Sequence, residues 1–161
     1  MNRDKFDQLV KRIEEMKKGR GFDLSTEEDL ALGVMNLIAI EEHLFFTAEK
    51  TGKEEYLDLL KQAREMRKDL MKKMIPEYEG EAWCTCKHLL SATMRMMEVG
   101  TKLLGDGKKA EAKEMFDRSY KTFNLFWAVR LKLIDLKGLK KVDKPMDMDD
   151  LMAKLVDCCK E

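Results

Sequence analysis

Five side chains combine reactive chemistry with a position that could use it: Glu41, Arg67 and Arg130, each set among apolar neighbours, and the pair Cys84 and His88. At about 100° per helical residue, Glu41 falls about 20° from Leu30, between Val34, Leu37, Leu44, Phe45 and Ala48. Its carboxylate is expected to point inward. The same arithmetic sets Arg67 about 20° from Tyr56, and Arg130 on the line of Ala112 with Ser119 and Phe123 to either side. A charge taken out of water needs a partner, so these positions predict a buried polar cluster.

Levels along antiparallel helices follow from reflecting positions about each turn. Reflection about Gly52 sets Glu41 near residues 62 and 63, about 6 Å along the axis from Arg67, which predicts a Glu41–Arg67 ion pair. Reflection about Tyr78 brings Arg67 near His88, and reflection about Asp106 brings Arg130 near Trp83 and Cys84. The expected cluster is Glu41, Arg67, Arg130 and His88. Its structural use is a hydrogen-bonded network that fixes helix register. Its functional use is a small-anion site, because two guanidinium groups outnumber one carboxylate and a spare one could hold a carboxylate or phosphate.

Cys84 and His88, four residues apart, can present a thiolate and an imidazole to one zinc ion. Two ligands are not a site, and the others would have to come from Cys158, Cys159, Glu41, Glu42 or His43. No cofactor is therefore expected, with zinc as the alternative. The two residues head a polar strip, Cys84, His88, Ser91, Arg95, Glu98 and Lys102, whose periodicity fits either solvent or the cluster. Ferritin-like di-iron chemistry is excluded, since neither histidine has a glutamate three residues before it. Helical nucleases of the HEPN type need Arg-x-x-x-x-His, which is absent, and no orienting group or oxyanion hole accompanies Cys84. No catalytic residue is assigned, and the chain reads as more suited to binding than to catalysis.

The elements that would position these groups are all helical. Two prolines in 161 residues and a 39% charged fraction describe helices with solvated faces. The fold class is all-α: an antiparallel up-down four-helix bundle in a single domain, residues 1–161. Its core helices are expected at about 26–50, 53–75, 81–104 and 108–136, with peripheral helices at about 3–18 and 147–159. Ser25 and Glu28 read as a capping box, and Gly52, Pro76 and Gly105-Asp106-Gly107 as the breaks. The expected core stripes are Tyr56, Leu60, Ala63, Met66, Leu70 and Met74; then Trp83, Cys86, Leu90, Thr93, Met97 and Leu104; then Ala112, Phe116, Ser119, Phe123, Trp127 and Ile134. Residues 107–120 look like half of a tetratricopeptide unit, but no second copy follows, so no repeat array is expected.

Acidic and basic residues balance at 31 each, which disfavours nucleic acid and anionic lipid as partners. No apolar run is read as long enough for a signal-peptide core or a membrane span, so a cytoplasmic setting without membrane contact is expected. Four cysteines at 84, 86, 158 and 159 lack the spacing of a secreted disulfide framework. Most of the thirteen methionines fall on core stripes as filler, while Met146, Met148 and Met152 are candidates for a docking face.

The run Glu81-Ala-Trp-Cys-Thr-Cys-Lys-His-Leu-Leu, followed by Met94-Arg-Met-Met-Glu-Val-Gly-Thr-Lys and Phe123-Asn-Leu-Phe-Trp, resembles a family of small all-α proteins from candidate-phylum bacteria and archaea. The resemblance spans about residues 35 to 135. It implies a cytosolic prokaryotic setting and supplies no activity. The functional expectation is a non-enzymatic module that binds a protein partner or itself, with the alternative of an anion or metal site built on Glu41, Arg67, Cys84, His88 and Arg130.

Overall fold

The computed structural model describes residues 11, 14, 15, 18, 23–76 and 82–131, and among them it contains four helices and no strand. The protein is all-α. The helices are α1, Leu24–Thr51; α2, Glu55–Met74; α3, Ala82–Gly105; and α4, Lys109–Arg130. Of the helix expected at 3–18 only Lys11, Glu14, Glu15 and Lys18 are described, and the helix expected at 147–159, with Ile134, Met146, Met148, Met152, Cys158 and Cys159, lies outside the described residues. Contacts divide the chain into two compact units, Met1–Met74 and Ile75–Glu161. Each contains one helical hairpin.

In the first hairpin, α1 starts at Asp23 and not at the expected Ser25. The Asp23 carboxylate accepts from the Ser25 backbone N–H at 3.0 Å and from the Thr26 hydroxyl at 2.8 Å. An anionic acceptor placed ahead of the serine meets both the first unpaired amides and the positive end of the helix dipole. These bonds hold the Asp23 carboxyl below its ordinary range, the Thr26 hydroxyl contributing most. At the other end Gly52 takes φ +67°, and its N–H bonds the Ala48 carbonyl at 2.8 Å. That left-handed turn reverses the chain within three residues and sends α2 back along α1.

The buried side of α2 is Ala63, Arg67, Met71 and Met74. Met66, expected in the core, is 54% exposed, because it lies about 80° around the helix from Met74. One property of α1 goes beyond the apolar runs read from the sequence. Within Ser25–Thr51, an 18-residue window averages a hydropathy of 1.4 with no more than two charged residues, long and apolar enough by length and composition to cross a bilayer. Glu41 and Glu42 interrupt the apolar run, which is why an unbroken stretch is not visible, yet they do not lower the average enough. Only 17% of that window is buried.

In the second hairpin, α3 and α4 are joined by a turn at Asp106 and Gly107. Trp83, Cys84, Cys86, Leu90, Thr93 and Gly100 of α3 are buried, with Ala112, Ser119, Phe126 and Val129 of α4. Met97 and Leu104 lie along the expected stripe but stay 41% and 48% exposed toward the turn. On α4 the buried line runs at a seven-residue interval through Ala112, Ser119 and Phe126, leaving Phe116, Phe123 and Trp127 half-buried beside it. The described part of α4 runs to Arg130, with the Leu131 N–H on the Trp127 carbonyl at 2.9 Å, and the expected continuation to Leu136 lies outside the described residues.

The α3–α4 contact depends on small groups. Ser119 Oγ donates to the backbone carbonyl of Thr93 at 2.8 Å, a bond possible only where two helices approach closely. At Gly100, a Cβ would stand 2.6 Å from Cε1 of Phe116, so the ring occupies the space a side chain would need. Phe123, Phe126 and Trp127 form an aromatic cluster on α4, with centroids 5.2 to 6.0 Å apart.

Candidate functional site

Within the first unit, Glu41 and Arg67 are brought together. Arg67 Nε donates to Glu41 Oε1 at 2.7 Å, and Nη2 donates to Oε2 at 3.1 Å. Arg67 is 1% exposed and is the largest of the fully buried side chains. A planar guanidinium meeting both oxygens of a carboxylate is the strongest geometry available to such a pair. Its third nitrogen, Nη1, lies 3.9 Å from the sulfur of Met71, one turn further along α2. Arg64, one turn before, approaches Glu41 Oε2 at 3.7 Å from a half-exposed position. Arg64 was not singled out by its sequence position, although its three-residue spacing from Arg67 is a readable sign.

The arrangement bears directly on anion chemistry. A ligand carboxylate would bind the Nε–Nη2 edge of Arg67, and Glu41 already holds that edge. The pair is a protein carboxylate serving as the internal anion.

Within the second unit, Cys84 and Cys86 are free thiols at 2% and 1% exposure. Burial pushes the Cys86 thiol up to about 12, with the positive charge of the Arg130 guanidinium opposing the shift. At neutral pH this thiol keeps its proton, so it is neither a ready nucleophile nor a ready metal ligand. Arg130 is half-buried, and its charge acts on Cys86 of the neighbouring helix. His88 is exposed while Cys84, four residues earlier, is buried, so the polar strip of α3 runs from the interior at Cys84 to solvent at His88, Arg95 and Lys102. Among the described residues, no three His, Cys, Asp or Glu side chains are grouped to hold a metal ion. Glu41 and Arg67 belong to the first unit, and Cys84, His88 and Arg130 to the second.

No family model, curated protein or solved structure matches this chain. The functional reading rests on its own side chains.

The feature that residue-by-residue chemistry did not single out is apolar. Leu32, Ile40, Phe45 and Phe46 of α1, with Leu57, Leu59 and Met66 of α2, are all between 42% and 54% exposed. Single exposed apolar residues are ordinary; the first hairpin carries seven large ones, against five on the second, Met97, Val99, Leu104, Tyr120 and Leu125. The signal was present in the sequence, since the apolar residues of α1 nearly encircle it and the contact with α2 uses only part of that circle.

Proposed function

We propose that this chain is a non-enzymatic binding module that associates with a protein partner, foremost with itself, through exposed apolar side chains of its first hairpin. The observation that carries the reading is the set of seven exposed large apolar side chains on the first hairpin. Apolar area of this kind gains by leaving water, and aromatic and methionine side chains are the types enriched at protein interfaces. The bidentate occupation of Arg67 by Glu41 supports the same reading, because it gives that buried charge a structural task. The antiparallel four-helix bundle, the two terminal helices and the cytosolic prokaryotic setting implied by the family resemblance belong to this proposal.

Native mass spectrometry of the protein drawn from its source cytosol tests it. The expected result is a mass that exceeds the 18.8 kDa chain by further polypeptide. A monomer carrying a stoichiometric small anion or metal would overturn it in favour of an internal ligand site.

A further inference from the structure

The turn end of the first hairpin concentrates three of its exposed apolar groups. Phe45 and Phe46 meet edge to face at a centroid distance of 5.2 Å, and with Leu57 they are 46%, 50% and 45% exposed. A Cβ at Gly33 would stand 3.6 Å from a Leu70 methyl, which puts these two residues at about one level of the α1–α2 pair. Reflecting positions in that register sets Phe46 level with Leu57, and Glu42 level with Lys61.

The two helices share a side as well as a level. Turning about 100° per residue from the α1–α2 contact line places Glu42, Phe45 and Glu49 on the same side of the hairpin as Leu57, Lys61, Arg64 and Lys68. Phe46 is joined to that side by its ring contact with Phe45. The charges there differ by helix: α1 contributes the acids Glu42 and Glu49, and α2 the bases Lys61, Arg64 and Lys68, of which Arg64 lies 3.7 Å from Glu41 and Lys68 bonds Glu65 at 3.2 Å within the same unit. All five reach the surface.

A face with acids along one edge, bases along the other and an apolar turn end is complementary to itself. A two-fold axis parallel to the hairpin, lying in the plane of this face, lays α1 of one copy over α2 of the other at the same level. Glu42 then meets Lys61 of the second copy, and Phe45 and Phe46 meet its Leu57. The operation repeats every contact twice. A polyanion or an anionic bilayer would be attracted by one edge and repelled by the other.

We propose that this side of the first hairpin is an isologous dimerisation surface, its occupant the same surface of a second copy. The inference rests on the binding-module reading and names its partner and its face.

Sedimentation velocity of the full chain over a micromolar concentration series tests it, with circular dichroism to confirm helical content. The wild type is expected to dimerise. Phe45→Asp should weaken the dimer roughly a hundredfold, as loss of a central aromatic does. Glu42→Lys and Lys61→Glu should each weaken it about tenfold, since each change occurs twice per dimer. The decisive outcome is rescue: an equimolar mixture of the two charge variants should dimerise as well as the wild type. Because Lys61 is exposed, that arm holds even if Phe45→Asp does not fold. A wild type that stays monomeric overturns both this surface and self-association. A wild-type dimer untouched by any of the variants overturns the surface alone. Wild type that is monomeric in buffer and captured by phosphatidylcholine vesicles would assign the apolar tip to a bilayer, and overturns the dimer.

Discussion

The two hairpins solve the same packing problem by opposite means. In the first, α1 and α2 are joined across their contact by a long, buried, bidentate ion pair between Glu41 and Arg67. In the second, α3 and α4 meet through a hydroxyl on a backbone carbonyl and an aromatic ring over a glycine. Long side chains hold register by a specific charge match, and small ones hold it by shape. Both devices bury their contact lines almost completely, Val34, Met71 and Met74 in the first hairpin and Cys86, Leu90, Ala112 and Phe126 in the second. Among the described residues the first hairpin leaves seven large apolar side chains exposed against five on the second.

The difference is sharpest when one partner of the ion pair is removed. Glu41→Ala strands a buried guanidinium and is expected to cost about 3–5 kcal/mol, whereas Glu41→Met with Arg67→Met removes both charges and should be close to neutral. Urea denaturation of the two variants checks this; equal losses would mean that the pair contributes net binding energy beyond register. In the second hairpin Gly100→Ala pushes a methyl into the Phe116 ring and should cost about 1–3 kcal/mol, measured by the same titration. The glycine substitution should be insensitive to salt.

Smaller effects of pH separate the hairpins in opposite directions. Asp23 has a lowered pKa in the folded protein, so its contribution is complete above the ordinary value of 3.8 and is lost as the pH falls through the lower folded value. Acid should therefore quicken amide exchange first in the opening turn of α1. Cys86 is raised from 9.0 to about 12, so the unfolded chain ionises first and stability falls as the pH climbs through that interval. Alkali should loosen α3 before α1, as segment-resolved hydrogen exchange would show. Cys86→Ser should remove that alkaline step.

How much of this was legible in the sequence follows the same division. Glu41 and Arg67 stand out because a charge in an apolar stripe breaks a periodic pattern, and reflection about Gly52 sets them within reach. The second hairpin's devices break no pattern. A glycine at position 100 reads as a cost to helix propensity, and only the neighbouring ring shows why it is there. Ser119 falls on its stripe, but its bond to Thr93 depends on helix separation, which periodicity does not encode. Phe126 was passed over because the buried line of α4 follows a strict seven-residue interval, while the expected stripe wandered to Phe123 and Trp127. Met66 was misplaced for the same kind of reason, an angular error of about one residue's turn. The Cys84–His88 spacing reads as one strip, yet Cys84 is buried and His88 exposed, so the strip puts its residues in different media.

The central claim is that the buried charges hold the first hairpin together while its apolar surface does the binding. Light scattering on the Glu41→Met, Arg67→Met double variant tests this most directly. The variant is expected to stay helical and to show the same concentration-dependent rise in mass as the wild type. A folded variant that has lost that association would place the buried pair within the functional site and contradict the account.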